Sequence, residues 1–413
     1  MKYLVLFIAL AGCSTTPKPS DLSQKICQDL NQGKNFSYKP HYSEHFQKSL
    51  PVEQMATLFN QVKSEYGDCK EVIDFKRTTS NDKFSTRHSS GKILDFTIVD
   101  SNSIATGLWL HGERAKPIEY SNLEAAKSDF EEYQKGSLYV LENDKTLVTL
   151  NSDERTALGS IFKLFVLDAL LQKIQEQKAH WGDNLSITRF NKSLPSGTMQ
   201  NAKEGESFEL REYAKKMISI SDNTATDHLI DFVGKSKIER RIKSRGLQKS
   251  FGWSRPFLTT MELFKIRAIF SPIDYKNYAG TTRTNRMLML QKLPKSDDKK
   301  FLEDINSWQQ PRGLYDAEWF STPKEICSLL LSLDKEADPE LTEILGANIP
   351  FLDKDKYSKA FYKGGSEPGL VQMAYLLKSE SKTVCLYAGA ADLSAPIDET
   401  VFFERVKAVL KLL

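Results

Sequence analysis

The chain has 413 residues, of which 40% are hydrophobic and 27% are charged, and its formal net charge is +3. This length exceeds one ordinary hydrophobic core, so it predicts two or three domains. Basic and acidic residues alternate on probable helix faces, as at 297–304, which argues against a phosphate-binding stripe. The composition predicts a globular protein with no nucleic-acid partner.

The N-terminus has the pattern of an export signal. Its apolar run YLVLFIALAG is too short to span a bilayer as a mature helix. The run ends in Leu-Ala-Gly before Cys13, which resembles the lipobox of bacterial lipoproteins, where the cysteine is acylated. We expect a signal peptide at 1–12, a lipid on Cys13 and a tether at 13–20. The lipid would anchor the protein in the cell envelope, and Ser14 favours the periplasmic side of the outer membrane. A plain secretory signal is the alternative.

Four further cysteines would lie in an oxidising compartment after export. Cys27 and Cys69 belong to the first part of the chain, and Cys327 and Cys385 belong to the second. The simplest pairing is one disulfide in each part, Cys27 with Cys69 and Cys327 with Cys385. Four buried free thiols are the alternative, because spacing alone does not fix connectivity.

The first part of the chain, 21–112, reads as a small α+β domain. Apolar residues recur at steps of three and four in 51–66, which predicts a helix with one buried face. The period then changes to two, which predicts strands. The predicted elements are helices at 22–30 and 51–66, followed by strands at 71–77, 84–87, 93–99 and 103–111.

One motif in this domain suggests a different chemistry. His41, Glu44 and His45 fit the H-x-x-E-H pattern of inverted zinc peptidases. That pattern needs a long helix, whereas Pro40 precedes the motif and Pro51 follows it closely. We therefore expect a short polar loop or helical turn here and no metal site.

Residues 113–136 are predicted to be a connector, and the second domain is predicted at 137–413. Strands are expected at both ends of that domain, with helices between them. The predicted elements are a hairpin at 138–151, helices at 157–172, 210–219, 224–233, 257–266 and 322–333, strands at 370–378 and 382–390, and a closing helix at 399–413.

The helix predicted at 157–172 carries the strongest chemical signal. It is apolar on nearly every face, so we expect it to be buried. Ser160 stands in its first turn and Lys163 follows three residues later, which makes the two side chains neighbours on a helix. Burial shifts a lysine toward its neutral form, which can accept a proton. The spacing predicts an activated serine nucleophile.

Two further motifs follow in order, Ser221-Asp222-Asn223 and Lys363-Gly364-Gly365. Each alone could be structural, as a helix N-cap or a turn. Together with Ser160-x-x-Lys163 they resemble the motif set of class A β-lactamases and penicillin-binding proteins. The resemblance covers 137–413 and implies an antiparallel sheet with a helical subdomain.

The resemblance also implies roles for the site residues. Ser160 would attack a carbonyl, Lys163 would take its proton, Ser221 would relay it, and Lys363 would meet a substrate carboxylate. The implied binding groups are the Asn223 amide, the backbone of Gly365, and the N–H of Ser366, which with that of Ser160 would hold the oxyanion. No cofactor is implied.

Two softer resemblances concern the whole chain. The stretch YSEHFQKSLPVEQMATLF and the order of elements resemble the cone-shaped nuclear-transport-factor-like, or steroid-isomerase-like, domain that precedes some β-lactamase-like domains. The segments KGGSEPG at 363–369 and EWF-S at 318–321 resemble two-domain proteins of the clavulanic-acid-biosynthesis type. We expect the first domain to have packing or binding duties.

The sequence departs from class A enzymes at the step that releases the acyl group. Those enzymes carry a deacylating glutamate after the second motif, in an E-x-x-L-N segment that is absent here. Glu239 is the only glutamate between Asn223 and Thr259, and its charged surroundings predict a solvated helix face. Other candidates for the base are Glu262, Glu367 and Lys163.

The sequence therefore predicts an exported serine hydrolase that forms an acyl-enzyme with a small-molecule substrate. That substrate would be a β-lactam, an ester or a peptidoglycan-like amide. The missing glutamate predicts slow release of β-lactam acyl groups. A penicillin-binding or peptidoglycan-recognising module with little turnover is the alternative.

Overall fold

The computed structural model describes residues 19–77, 81–294, 308–352 and 356–413. The predicted signal peptide and Cys13 lie outside these residues. The chain divides into two compact units, Met1–Lys116 and Pro117–Leu413. Within the described ranges, no helix combines the length and apolar character that crossing a membrane requires.

The first unit combines helices with a four-stranded antiparallel sheet of order β1-β2-β3-β4. Its core includes Ile26 and Phe59 from helices and Phe84 and Phe96 from strands. A disulfide joins Cys27 to Cys69, as the sequence predicts, and so ties α1 to β1. The elements are α1 Asp21–Leu30, α2 Glu44–Ser49, α3 Val52–Tyr66, β1 Cys69–Arg77, β2 Asn81–His88, β3 Ile93–Ser101 and β4 Ile104–Glu113.

The second unit begins with a helix, a hairpin and the buried helix that follows Ser160, and continues into a mostly helical region. The elements up to this region's last helix are α4 Leu123–Phe130, β5 Ser137–Glu142, β6 Lys145–Leu150, β7 Thr156–Ala157, α5 Lys163–Gln175, β8 Asn184–Ser186, β9 Ser207–Glu209, α6 Leu210–Ser219, α7 Asn223–Val233, α8 Lys235–Ser244, α9 Gln248–Trp253, α10 Thr260–Ile269, α11 Pro272–Gly280 and α12 Arg283–Gln291. The elements that complete the unit are β10 Phe320–Ser321, α13 Pro323–Lys335, α14 Pro339–Gly346, β11 Lys359–Glu367, β12 Leu370–Lys378, β13 Thr383–Ala391 and α15 Glu399–Leu412.

A five-stranded antiparallel sheet of order β11-β12-β13-β5-β6 forms the centre of this unit. Both faces are covered, which explains why β12 is a nearly continuous apolar run rather than an alternating one. One face packs on α15 and α4, through Phe402 and Phe130 among others. The other face packs on the helical region. A disulfide between Cys327 and Cys385, again the predicted pair, ties α13 to β13.

Helix α4 lies within the stretch that the sequence predicts as a connector. Its residues Ala126 and Phe130 have no exposed surface and belong to the core of the second unit. The boundary between the two compact units falls after Lys116.

Three segments of the second unit converge beside the edge strand β11. The first is the short 3-10 turn Gly159–Phe162 that leads into α5. The second is the link between α6 and α7, which contains Ser221. The third is β11 itself, which carries Lys363. The motifs are distant in sequence, and the fold brings them to one cavity of about 530 Å³.

Candidate active site

Ser160 lies on the turn that precedes α5 and lines the cavity. The helix itself begins at Lys163, so the predicted first turn is 3-10 rather than α-helical. Phe162 stacks on Trp319 with ring centroids 3.5 Å apart, and this contact fixes the turn against the core. No group of the described residues forms a hydrogen bond with Ser160 Oγ, so the hydroxyl is available to a substrate.

Lys163 is fully buried, as its apolar helix predicts. Its Nζ donates to Ser221 O at 2.5 Å, to Asn223 Oδ1 at 2.8 Å and to Ser221 Oγ at 3.0 Å. Burial lowers the pKa of Lys163 well below its ordinary value, and the charge of Lys363 lowers it further. The amine is thus directed at Ser221 and Asn223 rather than at Ser160.

Ser221 stands between two lysines. Its Oγ is 3.0 Å from Lys163 Nζ and 3.1 Å from Lys363 Nζ. Its φ of 58° lies in the left-handed region, which costs a non-glycine residue about 1–3 kcal/mol. The fold therefore holds this serine in an unfavourable backbone conformation at the point where the two lysines meet.

Asp222 holds that conformation in place. It is the N-cap of α7, and its carboxylate accepts hydrogen bonds from the N–H groups of Ala225 at 2.8 Å, Thr198 at 2.6 Å and Met199 at 2.9 Å. A Cβ on Gly197 would lie 2.2 Å from Asp222 Cγ, so the glycine is required for this close approach. The second motif thus combines a helix cap with a site residue.

Lys363 closes the network from the edge strand. It is 3% exposed and donates to Gly364 O at 2.7 Å as well as to Ser221 Oγ. Burial lowers the pKa of Lys363 to about 7. At neutral pH the residue therefore exchanges readily between its charged and neutral forms.

Gly365 allows β11 to approach the turn that carries Ser160. A Cβ on Gly365 would lie 2.5 Å from Ser160 N and 2.4 Å from Leu158 O, distances that no real side chain tolerates. A Cβ on Gly159, whose φ is +49°, would lie 3.3 Å from Ser366 N. The backbone N–H groups of Ser160 and Ser366 are thus in the same part of the cavity.

Asn223 also lines the cavity, at the first position of α7. Its Oδ1 accepts from Lys163, and its Nδ2 donates to Leu194 O at 3.2 Å. The oxygen and the nitrogen of this side-chain amide thus both have protein partners. The residue faces the cavity and also positions Lys163.

Glu239 is buried, contrary to the solvated face that its sequence predicts. It is 5% exposed, and its Oε1 accepts from Phe257 N at 3.0 Å. Arg283 and Arg255 approach the same carboxylate at 3.1 and 3.4 Å. The prediction was wrong because these partners come from later segments that fold over α8. Glu239 does not line the cavity.

Glu262 is also committed to the fold. Its carboxylate accepts from Thr259 N at 2.8 Å in a capping box at the start of α10, and it pairs with Lys235 at 2.5 Å. Asp227 is buried behind the site and accepts from Thr260 N and Met261 N. Burial raises the pKa of Asp227 to about 6. Neither carboxylate lines the cavity.

Glu367 is the one carboxylate among the described residues that line the cavity. Both of its oxygens accept from Arg267, from Nε and Nη2, at 3.0 Å. The same Nη2 is 2.8 Å from the fully buried Glu318, whose pKa is raised by burial and by the charge of Glu367. The sequence names Glu367 as a candidate base, but it does not indicate the pairing of Glu367 with Arg267 and Glu318.

In the first unit, the H-x-x-E-H motif lies across the start of a short helix. His41 Nε2 lies 2.7 Å from Asp29 Oδ2, and Ser43 caps the short helix α2, which begins at Glu44. Across the described ranges, no cluster of three or more histidine, cysteine or acidic side chains is suited to hold a metal ion.

Comparisons with known proteins bear on the second unit. A model of the β-lactamase enzyme family matches residues 122–296, which include the first two motifs but not Lys363. No curated protein matches the chain.

Solved structures give a wider match. The chain is similar to a β-lactamase from Sphaerobacter thermophilus, at 18% identity and a TM-score of 0.50. The match covers 71% of this chain and 97% of the other chain. It is also similar to a β-lactamase from Francisella tularensis, at 14% identity and a TM-score of 0.47. That match covers 70% of this chain and 96% of the other chain. The mixed helix and sheet fold predicted for the second unit is confirmed. The family model thus makes residues 122–296 similar to the β-lactamase enzyme family, and the first solved structure shows the same fold.

Proposed function

We propose that the second unit is a serine hydrolase that forms an acyl-enzyme on Ser160. The observation that carries this proposal is the position of Ser221 Oγ, 3.0 Å from Lys163 Nζ and 3.1 Å from Lys363 Nζ, beside the cavity that Ser160 lines. Burial lowers the pKa of both lysines, that of Lys363 to about 7, and so favours the neutral amine that can accept a proton.

The hydrogen bonds suggest a path for the proton. A neutral Lys163 has two N–H donors, which suit Ser221 O and Asn223 Oδ1, and one lone pair. The lone pair can then accept from the Ser221 hydroxyl, whose own oxygen accepts from Lys363. As Ser160 attacks, the Ser221 hydroxyl would turn toward the leaving group and so free the lone pair of Lys163 to take the proton of Ser160. Ser221 would then give its own proton to the leaving group and regain one from Lys163.

The remaining groups would bind the substrate. The N–H groups of Ser160 and Ser366 would stabilise the oxyanion, which is usually one of the largest contributions to acyl transfer. Gly365 leaves room for them. Protonated Lys363 would attract a carboxylate on the substrate, and the Asn223 side chain would face the acyl group.

Release of the acyl group would be slow. Glu367 is held by Arg267 at both oxygens, and Glu239, Glu262 and Asp227 do not line the cavity. A base that activates water is typically worth about 10²- to 10⁴-fold in rate. This arrangement also favours the second candidate function, a penicillin-binding or peptidoglycan-recognising module with little turnover.

A chromogenic cephalosporin tests the proposal. We expect a burst of about one equivalent followed by slow turnover, no burst from Ser160→Ala, and a much slower burst from Lys163→Ala. Ser196→Ala is the matched control, because this serine lines the same cavity and its Oγ donates to Ile220 O. Fast turnover without accumulation of acyl-enzyme would refute the slow release, and a burst from Ser160→Ala would refute the nucleophile.

The protein is further proposed to be an exported lipoprotein of the bacterial cell envelope, anchored through Cys13, with a small-molecule acyl substrate and no nucleic-acid partner. The motivation is the Leu-Ala-Gly-Cys sequence after a short apolar run. The first unit resembles a nuclear-transport-factor-like domain in its sequence. Its proposed role is packing or binding. Phase partitioning of the expressed protein tests the anchor: a Cys13→Ala variant that remained in the detergent phase would contradict it.

A further inference from the structure

A second, smaller cavity of the second unit lies apart from the cavity that Ser160 lines. Its volume is about 70 Å³, and its lining includes Arg155, Arg255 and Arg286. Among the described residues, none lines both cavities. A cavity of about 10–15 Å³ already holds one water molecule, so the smaller cavity has room for a compact ion. We name it the arginine cavity.

Arg286 brings to the arginine cavity a positive charge that has no carboxylate partner. Its guanidinium donates from Nε to Tyr278 O at 2.8 Å, from Nη1 to Arg255 O at 3.0 Å and from Nη2 to Ala279 O at 2.7 Å. Within the described part of the chain, these backbone oxygens are its hydrogen-bond acceptors, and none of them carries a formal charge. A guanidinium has five N–H groups, so two remain for a ligand.

Arg155 reaches the same cavity from the segment that precedes the turn of Ser160. Its Nη2 donates to Tyr315 O at 2.9 Å, and its guanidinium lies over the ring of Phe320, 4.6 Å from the centroid. Stacking on a ring fixes the plane of a guanidinium and leaves its edge free for hydrogen bonds. Among the described residues, four of its five N–H groups have no acceptor.

The acidic residues that line the arginine cavity already have cations of their own. Asp316 pairs with Lys276 at 3.0 Å, and Glu318 pairs with Arg267 at 2.8 Å. Burial raises the pKa of Glu318 well above its ordinary value, and the charge of Glu367 raises it further, which favours the neutral form. These two residues therefore do not cancel the charge of Arg155 and Arg286.

Arg255 adds to the excess of positive charge. It meets Glu239 at 3.4 Å, and the same carboxylate is 3.1 Å from Arg283. One carboxylate for two guanidiniums leaves one positive charge uncompensated. Cations at the arginine cavity thus outnumber anions, so a small anion there is attracted from several sides.

We propose that the arginine cavity binds a compact oxyanion of the phosphate class through the free N–H groups of Arg155 and Arg286. Arginine suits this ligand because its planar guanidinium can offer two parallel N–H groups to two oxygens. The inference goes beyond the proposed function and does not depend on it. The bound ion would connect Arg155 to α12 and would stabilise the folded unit.

Isothermal titration of the whole protein with inorganic phosphate, at constant ionic strength in a chloride buffer, tests this inference. We expect one site with a dissociation constant below about 1 mM. Arg155→Met and Arg286→Met should each weaken binding at least about tenfold, because each removes hydrogen bonds to a charged group. Arg189→Met is the matched control and should keep wild-type affinity. Its guanidinium also lies over a ring, that of Phe190 at 4.7 Å, but it does not line the arginine cavity.

Lys363→Met shows whether the phosphate binds in the larger cavity instead. This variant removes a cation of that cavity, and we expect it to bind phosphate as wild type does. Loss of binding in Lys363→Met, with binding retained in Arg155→Met, would overturn the inference. A wild-type dissociation constant above about 1 mM would also overturn it.

Thermal unfolding guards against a purely structural effect of the substitutions. Arg286 also holds three backbone oxygens, so Arg155→Met, which loses one such contact, decides the outcome if Arg286→Met does not fold. At about 100 times its dissociation constant, phosphate should raise the wild-type unfolding midpoint by about 5 °C. Arg155→Met should unfold near the wild-type midpoint without phosphate and show no such rise. An equal rise in both proteins would contradict the inference.

Glycerol 3-phosphate distinguishes a free ion from the phosphate group of a larger molecule. Binding at least about tenfold weaker than that of inorganic phosphate would identify the free ion as the ligand. Equal binding, again lost in Arg155→Met, would identify a phosphate monoester. Both results support the arginine cavity as an oxyanion site, whereas glycerol 3-phosphate binding that Arg155→Met leaves unchanged counts against it.

Discussion

Replacing Lys363 with methionine should change how the stability of the second unit depends on pH. Burial lowers the pKa of this lysine from 10.5 to about 7 in the folded protein. The unfolded chain keeps the higher value, so between pH 7 and 10.5 it binds a proton that the folded protein has lost. Stability therefore rises with pH in this window.

The magnitude follows from the two pKa values. At 1.36 kcal/mol per pKa unit, the difference corresponds to about 5 kcal/mol over the full window. Between pH 6 and 9, wild type should gain about 3 kcal/mol from this group, and Lys363→Met should lack that gain. The pKa of Lys163 is lowered mainly by burial and also by the charge of Lys363. Removing that charge therefore takes away the second of these two causes.

The assay is urea unfolding at pH 6, 7.5 and 9, followed by tryptophan fluorescence. Lys359→Met is the matched control. It lies on the same strand, and its partly exposed ammonium pairs with Asp334 at 2.8 Å. We expect the control to keep the wild-type pH dependence. If Lys363→Met also kept it, the lysine would not be buried with a lowered pKa, and its proposed proton exchange with Ser221 would fail.

Three further substitutions have expected outcomes. Gly365→Ala should lower the acylation burst rate by about 10²- to 10³-fold, because its Cβ would lie 2.5 Å from Ser160 N; an unchanged burst would contradict the role of that N–H. Ser221→Ala should slow the burst by about 10²- to 10⁴-fold, measured by stopped flow, because it breaks the link between the lysines. Arg267→Met should lower the free energy of unfolding by about 3–5 kcal/mol, since it leaves two buried glutamates without their cation; a loss under 1 kcal/mol in urea unfolding would argue against the ion pair.

Local sequence patterns predict several helices of the second unit. Helix α6 has the predicted bounds, 210–219, because its apolar residues recur at helical spacing. The turn before α5 was less predictable. Stacking of Phe162 on Trp319 and close approach of Gly365 hold it, and both partners are far away in sequence. The motifs thus identify the cavity, whereas tertiary contacts fix its backbone.

The directions of the site side chains could not be predicted from spacing. Ser160 and Lys163 are three residues apart, yet the lysine amine points to Ser221 and Asn223. The motif indicates the helix cap formed by Asp222, but it does not indicate the left-handed backbone of Ser221 beside that cap. The hydrogen bonds of the site therefore depend on the packing of several segments.

Charged stretches misled the sequence reasoning for a related reason. The segment KSKIERRIKS predicts a solvated face, but Glu239 is buried because arginines from two later segments meet it. This finding requires knowledge of which residues face each other.

Intact-mass spectrometry during incubation with benzylpenicillin tests the acyl-enzyme on Ser160 most directly. We expect that wild type gains the mass of one penicillin, that the adduct persists for many minutes after free penicillin is removed, and that Ser160→Ala gains no mass. An adduct of equal yield on Ser160→Ala, or a wild-type protein that never gains mass, would contradict the claim that Ser160 forms an acyl-enzyme.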